Sequence, residues 1–461
     1  MNKTNKIMVA AAFAASAVLT AANAATPITN TINNVEWRFQ IDESTKTAML
    51  GLITATTESS TTDPDDGTRA VSKDVDVNAA DIPWKFTYND EEYTVTSVAM
   101  KAFYKNSKLT GILTIPSSVT DIRRNAFRQS GLTYLKGGES VETWGFLSFY
   151  KCTNMEGPYP EFTMAREFGQ SPFKDTKLTG TIKLGSKLTS LPQLVFDGYA
   201  VTGALVIPAN VTQVSSNISG NNAYGPFNQC TNLVSIWIKG GATTTSVTKV
   251  YCTALAKQCT NLKLFLAGPN TMCKQHNTNN GFQTFRLCPN VQAFVPASGW
   301  SGLADNSGPN NEDNKNGNIW YYGPTNDFNL AIDDTNMKIT ITPTTAETFT
   351  NALSWATLFE DQLDLKPYIS VTNAIDLTGI TITEEMCADV TFDRLMFKAT
   401  TQTQLNAILA AIPATVSLGI DPEGATEDLY IDTANGRNVW VKLPANGEYK
   451  VKKDGLIIMF R

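Results

Sequence analysis

Apolar and polar residues alternate in short stretches through about the first two thirds of the chain. Leu113-Thr114-Ile115 and Ile236-Trp237-Ile238 are two examples, and each pattern matches a strand that buries one face. A phenylalanine comes shortly before most of these stretches, and a proline or glycine follows. Because this arrangement recurs, it predicts many similar short strands rather than a mixture of unrelated elements.

Eight segments share one plan, as AFYKNSKLTGILTIP (102–116), AFRQSGLTYLKGG (126–138) and PFNQCTNLVSIWIKG (226–240) show. We call the second residue of each segment the anchor. Successive anchors are 22 to 31 residues apart. The eight anchors are Phe103, Phe127, Phe149, Phe173, Phe196, Phe227, Leu255 and Phe285.

Repetition at this period is typical of a solenoid in which every unit is one coil. One unit cannot bury its apolar side alone, but parallel strands stacked ~4.8 Å apart form a continuous ladder. We expect each anchor to fill the space between the strand layer and the outer layer of its coil. Pro116, Pro208 and Pro296 stand where strands must end, a position that tolerates proline.

The pattern A-F-x-x-C-x-x-L-x-x-I-x-I-P, followed by V-T-x-I as at 119–122, resembles the BspA-like bacterial leucine-rich repeat family. The resemblance covers residues 93–299. It implies a bacterial protein that is secreted or held at the cell surface. It also implies a non-enzymatic adhesion role, in which the repeats bind a protein or glycan ligand such as host extracellular matrix or another cell.

We therefore predict a β-rich leucine-rich-repeat solenoid with a parallel strand ladder and smaller flanking units. Helical spacing inside 346–363 and 403–412, between strand patterns, predicts an α+β domain near the C-terminus. The predicted units are a signal peptide (1–24), an N-terminal β cap (25–92), the repeats (93–299), an Asn/Asp/Gly-rich loop with a cap strand (300–328), the α+β domain (329–428) and a β-meander tail (429–461).

The first 24 residues predict a secretory signal peptide. Lys3 and Lys6 precede an apolar run that ends at Leu19, and residues 22–24 match an A-x-A cleavage site. A buried N-terminal helix is the alternative. The longest later apolar stretch, 405–416, is too short to span a bilayer. We expect a secreted or cell-surface protein with a cleaved signal peptide and no transmembrane segment.

Composition and motifs argue against most enzymes. With 37 Lys+Arg and 43 Asp+Glu, the formal charge is −6, so we expect no nucleic-acid partner. His276 is the single histidine, and G-x-S-x-G, P-loop and H-E-x-x-H patterns are absent. The acidic loop at 63–67 lacks the terminal glutamate of a calcium loop. We expect no catalytic residue, no metal and no cofactor.

The cysteines follow the repeat. Cys152, Cys230, Cys259 and Cys288 come three or four residues after their anchors, at one position of the repeat. A ladder of buried thiols that pack as small apolar side chains is our first interpretation. Disulfides between adjacent coils are the alternative, because neighbouring strands nearly match the Cα separation of a bridge.

An extended sheet face is the better candidate for function. If Leu135, Ile236 and Ile238 point inward, their neighbours point outward, and exposed aromatic residues beside cations are typical of binding hot spots. In the alternative strand phase Trp237 belongs to the core. The predicted ligand-binding residues are Tyr134, Lys136, Trp237 and Lys239.

Two other functions remain open from the sequence. The first alternative is a passive scaffold that displays the C-terminal domain. The second is a hydrolase with its site in 329–428, because two carboxylates across a cleft suffice for glycoside hydrolysis. We expect a monomer in every case.

Overall fold

The structure is a computed structural model. It describes residues 25–53, 68–216, 225–251, 255–274, 284–300, 318–333, 336–363, 368–371, 396–415, 418–422, 424–431, 439–441, 450–453 and 456–459. The predicted signal peptide, the acidic loop at 63–67 and His276 lie outside these ranges.

An N-terminal cap of mixed strands begins the fold. Strands β1, β2 and β3 pair in antiparallel order, β3 pairs in parallel with β6, and β5 pairs antiparallel with β6. Trp37 and Phe39 of the cap are buried in the same core as the repeats. The cap strands are β1 (Thr26–Ile32), β2 (Val35–Asp42), β3 (Thr47–Leu50), β5 (Lys85–Tyr88) and β6 (Glu91–Val98).

Each coil then consists of an anchor loop, a front strand and a short side strand. The front strands pair in parallel as two consecutive sheets, which we call the first and second front sheets. The first contains β4 (Val77–Asn78), β7 (Leu109–Ile115), β9 (Gly131–Gly137), β11 (Glu156–Pro158), β13 (Lys177–Gly180) and β15 (Ala200–Val201). The second contains β16 (Gly203–Ile207), β18 (Leu233–Ile238), β20 (Leu264–Ala267), β22 (Gln292–Pro296) and β23 (Asn318–Tyr322).

The side strands form a second parallel ladder. Its first members continue the cap sheet from β6, and the later ones form a separate four-stranded sheet. Ile122, Leu191 and Val214 point into the core from this ladder and are fully buried. The side strands are β8 (Asp121–Ile122), β10 (Thr143–Trp144), β12 (Glu167–Phe168), β14 (Ser190–Pro192), β17 (Gln213–Ser216), β19 (Thr248–Tyr251) and β21 (Thr271–Lys274).

The anchors form the central column of the solenoid. All eight belong to one buried cluster, so the predicted dry interior and parallel ladder are confirmed. The Phe127 ring stacks on Phe103 and Phe149 with centroids 5.0 and 4.9 Å away. The amide of Phe127 donates to the carbonyl of Ser148 in the next coil, which holds the loops in register.

The C-terminal region packs two helices beside short sheets. Thr345 and Thr401 cap the two helices by accepting from the backbone amides of Thr348 and Gln404. The elements are β24 (Phe328–Asp333), β25 (Lys338–Pro343), α1 (Ala346–Gln362), β26 (Tyr368–Val371), β27 (Met396–Lys398), α2 (Gln402–Ala411), β28 (Leu418–Asp421), β29 (Leu429–Ile431), β30 (Val439–Val441), β31 (Lys450–Lys453) and β32 (Leu456–Met459). No helix in the described ranges is long and apolar enough to cross a membrane.

The tail differs from the predicted β-meander. Among the described residues of the tail, β31 and β32 pair antiparallel, whereas β29 pairs in parallel with β31 and β30 pairs in parallel with β28. Alternating polarity predicts that a strand has one buried face, but it carries no information on the direction of the neighbouring strand. The prediction of strands at these positions is therefore right, and their predicted order is wrong.

Candidate functional site

The outward side of the two front sheets forms one extended surface, which we call the front face. Leu135, Ile236 and Ile238 are buried in the solenoid core, as the predicted strand phase requires. Tyr134 and Lys136 point away from that core, and so does Trp237. The alternation along β9 and β18 is therefore confirmed.

The outward side chains of the first front sheet are exposed or partly exposed to solvent. Parallel register places Ile112, Tyr134, Glu156 and Lys177 in one row across β7, β9, β11 and β13. Ile112 is 41% exposed, Tyr134 is half-buried, and Glu156 and Lys177 are exposed. Lys136 is exposed beside Thr114 in the next outward row. This half of the front face thus combines an aliphatic, an aromatic and several charged side chains.

The Tyr134 ring packs against the next coil because a glycine makes room for it. A Cβ atom at Gly157 would be 2.4 Å from the Tyr134 ring, far inside van der Waals contact. Gly157 also has φ +109°, a backbone conformation that other residues rarely adopt. The missing side chain at position 157 therefore leaves the space that the Tyr134 ring occupies.

The second front sheet is covered, so the predicted exposure of Trp237 is wrong. Trp237 is only 1% exposed and belongs to a second apolar core shared with the C-terminal region. Phe294 of the same sheet contacts Trp355 and Phe359 of α1, with ring centroids 5.3 and 4.7 Å apart. The Ser235 hydroxyl donates to the carbonyl of Gln362 at the end of that helix.

Lys239 lies at the margin of this covered area. Its Nζ is 5.1 Å from the centroid of the Trp237 ring, and the side chain is half-buried. The structure thus separates the four predicted residues. Tyr134 and Lys136 lie on the open half of the front face, while Trp237 and Lys239 lie under or beside the C-terminal region.

The sequence of β20 already indicates that the second front sheet is covered on both sides. In β20, Leu264 and Leu266 face outward while Phe265 and Ala267 face the solenoid core, and all four are buried. A strand that is apolar on both faces is typical of a sheet covered on both sides. The outward Ile112 and Thr114 of β7, by contrast, are exposed.

The ladder cysteines are free thiols in the core. Cys152, Cys230, Cys259 and Cys288 are buried and unbridged, which agrees with the thiol ladder and not with disulfides between these residues. Each Sγ donates to a backbone carbonyl of the preceding coil. The acceptors are, in the same order, Phe127, Phe196, Phe227 and Ala256, with distances of 3.0, 3.0, 2.9 and 2.9 Å.

Burial and mutual contact keep thiols of this ladder protonated and therefore unreactive. Burial raises the pKa of the Cys152 thiol to about 11. The adjacent Cys230 thiol raises the pKa of Cys259 well above its ordinary value, and Cys259 does the same to the pKa of Cys288. A protonated, buried thiol is a poor nucleophile and a poor metal ligand. Among the described residues, no group of three or more His, Cys, Asp or Glu side chains is placed to hold a metal ion.

The comparison with protein families identifies the repeats. The family model for the BspA type leucine rich repeat region matches residues 85–202 and 166–291, in six copies. No curated protein matches the chain.

Several solved bacterial structures are similar in part. A Treponema pallidum (T. pallidum) leucine rich repeat protein is 18% identical, covers 51% of this chain and 83% of its own, and has a TM-score of 0.29. A leucine rich cell surface protein of Faecalibacterium prausnitzii is 14% identical, with 65% and 96% covered and a TM-score of 0.33. A leucine-rich repeat protein of Bacteroides ovatus is 15% identical, with 56% and 80% covered and a TM-score of 0.20.

Proposed function

Because residues 85–291 form a leucine-rich repeat region of the BspA type, we propose that this protein is a non-enzymatic binding protein of the bacterial cell surface. The open half of the front face, around Ile112, Tyr134 and Lys136, captures a protein or glycan partner. Export through the predicted signal peptide at 1–24 places the protein outside the cytoplasm, either secreted or retained at the surface.

The observation that carries this proposal is the partly exposed Tyr134 ring, packed against Gly157 on the first front sheet. Stacked repeats suit large partners because they present one extended surface. A tyrosine ring that packs against Gly157 before binding offers a large contact area at a low cost in conformational entropy. Lys136 and Ile112 flank the ring with a cation and an exposed apolar group.

The test is capture by the chain from residue 25 onward on arrays of matrix proteins and glycans. We expect Tyr134→Ala with Lys136→Ala to weaken capture at least tenfold without changing the unfolding midpoint. The matched control is Lys249→Ala with Tyr430→Ala, which removes an exposed lysine and an exposed tyrosine away from the front face. Equal losses in both double variants would contradict the proposal.

A passive scaffold is the second candidate, and the docking of α1 on the second front sheet supports it. The apolar contacts of Phe294 and Trp320 with that helix join the solenoid to the C-terminal region. In a scaffold, the front face supports the C-terminal region and the open half binds nothing. Unchanged capture by the Tyr134 and Lys136 double variant, together with loss of capture when the Phe294 contact is removed, favours this function.

A further inference from the structure

A second surface lies on the anchor loops of the first three coils. Arg128 is placed between two tyrosine rings, with its guanidinium carbon 5.5 Å from the centroid of Tyr104 and 5.0 Å from that of Tyr150. Arg124 lies 4.6 Å from the centroid of Phe146. We call this set the cation–aromatic ladder; its members are Tyr104, Arg124, Arg128, Phe146, Tyr150 and Lys151.

The repeat itself builds this ladder. Tyr104, Arg128 and Tyr150 each follow an anchor, and the stacked anchors are 5.0 and 4.9 Å apart. Side chains at one repeat position therefore recur about every 5 Å along the solenoid axis. The amide of Gln129 donates to the carbonyl of Tyr150 at 2.9 Å, so the loop backbones are fixed in the same register.

The cations of the ladder have no acidic partner in the part of the chain that the structure describes. No carboxylate of the described residues lies within ion-pair distance of Arg124, Arg128 or Lys151. Arg128 has a single long hydrogen bond, from Nη1 to Oδ1 of Asn125 at 3.4 Å, and its Nε has no acceptor. In the fourth coil the pattern ends, because Lys174 is paired with Asp197.

This local positive charge is notable in a chain with a formal charge of −6. Clustered like charges repel, and no carboxylate of the described residues offsets this repulsion, so the three cations leave an attractive site for an anion. The two tyrosine rings flank the Arg128 guanidinium and its Nε is buried, so a ligand would be bound through the Nη groups. A guanidinium edge matches the paired oxygens of a sulfate or carboxylate group.

We propose that the cation–aromatic ladder binds the sulfate groups of a linear sulfated polysaccharide. The three cations lie close together on two adjacent coils, which suits a single flexible chain with closely spaced anionic groups. A nucleic-acid duplex needs a broader basic surface. This site is separate from the front face, so the test of sulfate binding does not depend on whether the proposed function is correct.

Heparin is the probe, and the protein is the chain from residue 25 onward. We expect binding at about 50 mM NaCl that weakens steeply with added salt, because each neutralised sulfate releases a counterion. Arg124→Gln with Lys151→Gln keeps every ring of the ladder and should weaken heparin binding at least tenfold. Lys249→Gln with Lys263→Gln removes the same charge elsewhere and should change it less than twofold.

Arg128→Lys separates charge from geometry, because lysine keeps the charge but lacks the planar fork. We expect it to weaken heparin binding three- to tenfold; if it unfolds, the Arg124 and Lys151 double variant still decides the question. Absence of heparin binding by the wild type, equal binding of desulfated heparin, equal binding of duplex DNA, or equal losses in the two double variants would each overturn the proposal.

Discussion

The ring of Phe294 on the solenoid meets the ring of Phe359 on helix α1 edge to face, with centroids 4.7 Å apart. Phe294 belongs to a front strand, and Phe359 to the C-terminal region, so this contact joins two units that the sequence presents as separate. The outward side of the second front sheet is consequently an internal interface.

Replacing Phe294 with alanine should destabilise the protein by about 3–5 kcal/mol, since a buried aromatic ring leaves a cavity between solenoid and helix. Urea unfolding measures the loss. Ile112→Ala is the matched control, because Ile112 also points outward from a front strand but is 41% exposed. Its expected change is within about 0.5 kcal/mol. Similar losses in the two variants would mean that the second front sheet is not covered.

Trp237→Ala should also reduce stability rather than only weaken binding. The Trp237 side chain is buried beneath the C-terminal region, and removing a buried tryptophan costs about 3–5 kcal/mol. Lys239→Ala leaves that core in place and serves as the comparison. Thermal unfolding of both variants checks this expectation. An unfolding midpoint of Trp237→Ala equal to that of the wild type would contradict it.

Gly157→Ala should disturb Tyr134. Gly157 and Gly180 both have positive φ, +109° and +107°, so alanine at either position costs about 1–3 kcal/mol of backbone strain. A Cβ at position 180 meets nothing within 4 Å, whereas one at 157 meets the Tyr134 ring. We therefore expect Gly157→Ala to lose more stability than Gly180→Ala. We expect partner capture to weaken in Gly157→Ala and to stay unchanged in Gly180→Ala. If Gly157→Ala and Gly180→Ala changed partner capture equally, Tyr134 would not belong to the proposed binding site.

The buried thiol of Cys152 predicts a dependence of stability on pH. Burial raises its pKa from an ordinary value near 9 to about 11, so the folded state holds the proton more tightly than the unfolded state. The resulting contribution to the free energy of unfolding is complete below pH 9 and is lost as the pH rises toward 11.

Urea unfolding between pH 8 and 11 measures this loss. Cys152→Ala has no proton to lose at this position and should decline less steeply than the wild type. Cys273→Ala keeps the Cys152 thiol and should follow the wild-type curve. Identical slopes for wild type and Cys152→Ala would contradict the assignment.

The tail and the cysteines show where sequence patterns stop being informative. Alternation correctly predicts strands at Leu429 and Val439, but the direction of pairing depends on the path of the chain between strands. The spacing of Cys230, Cys259 and Cys288 places the thiols in one row, yet it is compatible with both bridged and free thiols. Their hydrogen bonds to backbone carbonyls distinguish the two.

From the sequence alone we predicted the coil and the buried anchors, and the pattern favoured an outward direction for Tyr134 and Trp237 without excluding the other strand phase. These properties follow from a period of apolar residues, which is local and is repeated in every unit. That Tyr134 remains partly exposed while Trp237 is buried became clear from the three-dimensional fold, because the difference depends on where α1 packs. The contact of Phe294 with Phe359 joins residues far apart in the chain, and no local pattern encodes such a contact.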